Sequence, residues 1–150
     1  MISISIVRKI GKMLRGGAGK REIFLGALCG VLIGMLPGAN LMLAVLILVA
    51  LLLNANLGFT LLGVAAGKVL CLALAVPTFH IGYTLIHNIG LEGVFTSLAN
   101  MPGLALMGLD SYSQVGGAPI AWIVAVVFAK ALSTYVNKIR EQMVKAAKNE

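Results

Sequence analysis

The sequence predicts an all-α integral membrane protein, a compact bundle of short, broken transmembrane or re-entrant helices with an N-terminal amphipathic helix. Three observations carry that class. Hydrophobic residues make up 59% of the 150 residues and charged residues only 11%, with a mean hydropathy of +0.98, beyond what a soluble domain ordinarily carries. Residues 23–67 hold 45 consecutive uncharged positions, and residues 69–91 another 23, where a bilayer-spanning helix needs about 20. Glycine and proline interrupt these stretches repeatedly, so the helices they allow are short. The chain reads as a single domain with no internal repeat. A cleaved signal peptide does not account for the first apolar stretch, which runs far past a signal's apolar region and closes on no small-x-small cleavage pattern.

Residues 1–19 read as a basic amphipathic interfacial helix and glycine linker. Ile6, Val7, Ile10, Met13 and Leu14 share one helical face, and Arg8, Lys12 and Arg15 lie opposite. Such a helix lies in the headgroup plane and is drawn to anionic lipid. Residues 20–137 form the membrane domain. Its first helix, 23–36, reaches only about 21 Å before Pro37 and Gly38 stop it. Asn40 is placed to cap the next, 40–53, which ends at Asn54-Ala55-Asn56. The two form either a re-entrant hairpin or a tilted pair in a thinned bilayer. A third helix covers 57–76, Pro77 breaks it, and 78–90 continues as an apolar half-helix. Residues 91–117, with Glu92, Pro102 and Asp110, read as an external loop carrying short interfacial helices. The last span, 119–137, opens on Pro119. Trp122 and Tyr135 stand 13 residues apart along it, placed to anchor opposite interfaces. Residues 138–150 read as a basic tail.

Charge orients this arrangement. Six of the twelve Lys and Arg residues precede Ile23 and four (Lys138, Arg140, Lys145, Lys148) follow the last span. The protein is therefore expected in a bacterial inner membrane, multi-pass, with both termini cytoplasmic.

Two ladders of small residues at four-residue spacing are candidates for helix packing: Gly26, Gly30 and Gly34, then Gly63, Gly67, Cys71 and Ala75. Because lipid tails are as apolar as leucine, membrane helices associate through close backbone approach, and the two ridges are expected to face one another or a symmetry mate. Cys29 and Cys71 are packing residues by the same reading.

Lys68 stands about 16 Å into the third helix, with no carboxylate between Ile23 and Leu91 to pair with. Carbonyls at a broken helix end, the amides of Asn40, Asn54 or Asn56, water or an external anion are its possible partners. One reading is a cationic site for a lipid phosphate or other anion, lined by Lys68, Lys130, Asn40, Asn54 and Asn56. The other is a snorkelled lysine that tunes depth or meets a partner's carboxylate. A polar stripe of His80, Tyr83, Thr84 and His87 follows Pro77 on one helical face. Its imidazoles lie about 10 Å apart along the axis, too far for one zinc ion. No serine, histidine and carboxylate cluster and no glycine-rich phosphate loop following a strand is found. The expectation is no enzyme, cofactor, metal or nucleic acid, with membrane lipids (anionic headgroups) and either a protein partner or a homo-oligomer as partners.

The order Gly26-x-x-x-Gly30-x-x-x-Gly34, Met35-x-Pro37, Asn40-Leu41, Asn54-x-Asn56-Leu57 and Pro77-Thr78-Phe79-His80-x-Gly82-Tyr83 resembles the uncharacterised bacterial membrane proteins of domain-of-unknown-function family 2062, particularly their short single-domain relatives. The resemblance covers roughly residues 20–120, with Val76 departing from a position where many relatives carry a polar or acidic residue. It implies no activity. Some members of that family are joined to glycosyltransferases, and the short relatives are encoded beside a large envelope protein, which implies work on lipids or surface polymers. Two expectations follow: a membrane subunit or anchor of an envelope complex, or a small homo-oligomeric transporter or channel using the broken helices.

Overall fold

The computed structural model describes residues 19–108 and 111–148, and those residues are helical without strands. The expected amphipathic helix and Asp110 lie outside them. Helices α1 (Lys20–Gly34), α2 (Leu41–Leu52), α3 (Leu57–Ala73) and α4 (Ala75–Tyr83) follow in order, the last running into a π-helical turn, Thr84–Asn88. Short helices α5 (Glu92–Ala99) and α6 (Pro102–Ala105) precede a 37-residue helix, α7 (Tyr112–Lys148).

Each end has a local cause. At the start of α1 the Glu22 carboxylate accepts the Gly19 N–H at 3.2 Å. Asn40 caps α2, its Oδ1 accepting from Leu43 N at 3.3 Å, as Asn does when its short side chain reaches an orphan amide. Asn54 closes α2 in the left-handed region, φ 51°, a conformation that asparagine tolerates. Asn56 then opens α3 by accepting from Gly58 N at 3.1 Å and Phe59 N at 3.3 Å.

Three element boundaries differ from the sequence expectation. The break in the third apolar segment falls at Leu74, ahead of Pro77, and α4 starts at Ala75 with the proline in its first turn. A proline ring clashes with the carbonyl four residues earlier, here that of Ala73, so the helix ends there and bends by 67°. The last helix begins at Tyr112 and carries Pro119 inside it. Its first two turns are held by α4 and by Gln114, which outweighs the roughly 3 kcal/mol cost of an interior proline. The same helix continues to Lys148, so 138–148 is helix rather than a tail.

Helices α1 and α3 run parallel. Gly26 stands against Asn56 and Phe59, Gly30 against Thr60 and Gly63, and Gly34 against Val64 and Gly67. Helix α7 runs antiparallel to both: Val136 and Leu132 pack on Ile23 and Phe59 at one end, while Ala121 and Ala125 pack on Val31 and Met35 at the other. The face α7 turns inward is itself small, with Ala121, Ala125, Ala129 and Ser133 buried at four-residue intervals. Helix α2 packs on α1 and buries only Ala50. Large apolar side chains point outward: Leu52 is 73% exposed and Leu72 80%. Among the described residues one helix, α7, is long and apolar enough to cross a membrane, and the bent α3–α4 pair makes a second crossing if it counts as one span.

Candidate functional site

Polar chemistry concentrates at the two ends of the bundle. At the end where α1 stops, Lys68 extends its Nζ to the Leu36 carbonyl at 2.8 Å, in the turn that leaves α1. A cation beside a helix C-terminus meets the negative end of the macrodipole, and the bond ties α3 to the turn. Of the partners open to Lys68, a carbonyl at a broken helix end is the one it has. Its side chain stands on the exposed side of α3 and is not enclosed by the bundle, a correction to the buried site expected from depth alone.

Next to that turn, Asn40 Nδ2 donates to Gln114 Oε1 at 2.7 Å, and buried Gln114 donates in turn to the Met107 carbonyl. Leu41 N donates to the Leu106 carbonyl at 2.9 Å. Residues 106–108 thus bind the first turn of α2 to the first turn of α7. Gly108 takes φ +75°, and a Cβ there would lie 2.7 Å from both Asn40 Nδ2 and Gln114 Oε1, so glycine is required twice over.

The five residues expected to line one anion site do not converge. Lys68 and Asn40 flank the 36–40 turn, whereas Asn56 lies at the opposite end of α1, its N–H donating to the Glu22 carbonyl at 3.3 Å. Asn54 lies beside it, at the far end of the 12-residue α2, about 18 Å from Asn40. Lys130 is exposed on α7, nine residues and about 14 Å along the axis from Ala121 at the Lys68 end. The asparagines complete helix ends, and that use of their side chains explains the dispersal.

Beyond α4, the polar stripe joins an aromatic cluster centred on Tyr112. Tyr83 and His87 have ring centroids 4.8 Å apart, and Tyr112 lies 5.8 Å from Tyr83 and 5.7 Å from His87. Phe79 meets Tyr112 edge-on at 5.5 Å. His87 Nε2 stands 2.8 Å from Tyr112 Oη, and its Nδ1 is 3.6 Å from the Glu92 carboxylate. His80 meets the Phe79 ring edge-on, and Thr84 opens the π-turn. Among the described residues no three His, Cys, Asp or Glu side chains are grouped to hold a metal ion. The cluster positions aromatic rings and, at one end of the bundle, an imidazole between a phenol hydroxyl and a carboxylate.

Between the end of α1, α2, α5 and α7 lies an apolar groove of about 500 Å³, lined by Leu36, Met42, Leu46, Phe95, Gln114 and Trp122 among others. A smaller space of about 60 Å³, lined in part by Met35, Cys71, Ala75 and Thr78, takes up the second half of the second small-residue ladder. At the other end Lys20, Arg140 and Lys145 gather around a cleft of about 530 Å³.

Sequence reasoning did not reach Gln114, Tyr112, the crossing of Gly82 over Tyr112 and Gly116, or the small-residue face of α7. The last had a signal: Ala121, Ala125, Ala129 and Ser133 repeat at four residues just as the glycine ladders do. The others depend on which helix meets which. Comparison with known protein families, curated proteins and solved structures finds no match to this chain.

Proposed function

We propose that this chain is a multi-pass integral membrane protein that works as a subunit or anchor of an envelope assembly, with its basic end facing the cytoplasm. The observation that carries the reading is the outer surface: Leu52, Leu61, Val69, Leu72, Ile123 and Val127 are exposed, while the helix contacts are made largely by glycine, alanine and serine around a small core of Ile23, Val31, Phe59 and Val136. So large an apolar surface is rare on a protein surrounded by water. Only 22% of the most apolar stretch of α7 is buried within the chain, whereas the core helix of a soluble protein is mostly enclosed. Hydrocarbon removes the penalty for that surface and leaves close backbone packing to hold the helices. Lys20 at the start of α1 and Arg140 and Lys145 on α7 share one end, which agrees with the cytoplasmic excess of basic residues.

The subunit reading is favoured over a transporter because Lys68, Asn40 and Asn56 bond to backbone and neighbouring side chains at helix ends and line no common path. The experiment has two arms. Membranes washed at alkaline pH should retain the protein, and a folded, monodisperse species in detergent-free buffer would refute the membrane reading. Purified protein reconstituted alone should carry no anion or lipid flux, and flux abolished by Lys68→Met would refute the subunit reading.

A further inference from the structure

The cleft at the basic end joins residues more than a hundred positions apart. Lys20 opens α1, and Asn137, Arg140, Glu141, Val144 and Lys145 follow one another at helical spacing on the face of α7 beside it. The cleft is shallow and open to the surroundings, with a volume of about 530 Å³. Three cations and one carboxylate, Glu141, line it, a balance of 3 − 1 = +2.

Arg140 is half-buried and Lys20 and Lys145 are exposed, so two flexible ammonium groups can close over a ligand beside the guanidinium. A planar guanidinium fork matches phosphate oxygens in pairs. The N-terminus of a 15-residue helix, α1, adds positive potential at the same place.

We propose that this cleft binds a phosphodiester or phosphomonoester group, held by Arg140 with Lys20 and Lys145. The group belongs either to an anionic phospholipid headgroup or to a soluble phosphate ester. The lipid source rests on the membrane reading above, and the soluble source does not.

The test uses the full chain in nanodiscs of phosphatidylcholine with about one fifth phosphatidylglycerol, released into neutral detergent and weighed by native mass spectrometry. The expected result is preferential retention of phosphatidylglycerol. Arg140→Gln should reduce that preference about tenfold, the effect of losing one charge-assisted contact. Arg140→Lys should restore part of it, and Lys138→Gln, which removes an equal charge outside the cleft, should leave it unchanged. In parallel, glycerol phosphate is titrated against the protein in neutral detergent, or in plain buffer should the membrane reading fail. Saturable binding lost in Arg140→Gln and Lys145→Gln assigns the cleft to a soluble ester. Equal retention of both lipids together with no glycerol phosphate binding overturns the proposal, as does equal loss in Lys138→Gln and Arg140→Gln. Helical content by circular dichroism identifies a variant that has unfolded, and Lys145→Gln, an exposed position, then carries the test.

Discussion

Gly30 and Gly63 meet backbone to backbone: a methyl group built on either would lie 2.9 Å from the other's Cα. Behind each stands more backbone, the Thr60 carbonyl for Gly30 and the Ala27 carbonyl for Gly63. Main chain cannot step aside as a flexible side chain can. Gly30→Leu and Gly67→Leu should each destabilise the fold by about 3 kcal/mol or more, the upper range for overpacking. Thermal melting in detergent measures it, and melting unchanged in both variants would remove the α1–α3 ridge as the organising contact.

A second crossing makes an independent prediction. Gly116 faces the Thr78 carbonyl and Gly82, and Gly82 faces the Tyr112 carbonyl. Gly116→Ala should push the first turns of α7 from α4 and separate Tyr112 from His87, at a cost of about 1–3 kcal/mol. The readout is local: faster amide exchange over 112–118, with the α1–α3 interface unaffected. Uniform exchange changes across the chain would contradict the assignment.

Lys68 supplies the third. If it fastens the turn after α1, Lys68→Met should cost about 1 kcal/mol, a single hydrogen bond's typical net contribution, and loosen residues 35–40. Lys68→Arg should recover most of the loss, since a guanidinium can also donate to the Leu36 carbonyl. Full stability in Lys68→Met, by melting and by exchange of the 35–40 amides, would leave the lysine without this structural role.

The Asn40 side chain both caps α2 and donates to Gln114. Asn40→Ala should lose both bonds, about 2 kcal/mol together. Asn40→Asp keeps the cap and cannot donate to the amide oxygen of Gln114, so it should fall between. Asn40→Asp melting like the native chain would show that the Gln114 bond contributes nothing, and equal melting of the two variants that the cap contributes nothing.

What could be read from the sequence was what depends on near neighbours. Asn40 and the Asn54-x-Asn56 pair announce helix ends because capping is a local event, and Gly26, Gly30 and Gly34 announce a contact surface because four-residue spacing puts them on one side. Pro77 announced a break and misplaced it, since its clash acts four residues upstream, at Ala73. Pro119 was read as a beginning because its local preference is plain, while the tertiary hold of α4 and Gln114 on the preceding turns is not. The residues expected to line one anion site are dispersed for a related reason. Asn40 and Asn56 are both amides near Lys68 in the sequence, but α2 separates them by its full length, and only the return path of the chain decides which one stands beside the lysine.

The shortness of α2 has a consequence for whatever surrounds the molecule. Its 12 residues reach about 18 Å, against a hydrocarbon core of about 30 Å, while α7 on the other flank is long enough to cross. A bilayer meeting both flanks would be compressed on one side and relaxed on the other, creating a local dip in the leaflet beside α2. Lipids in that dip would be more easily displaced than those elsewhere around the protein.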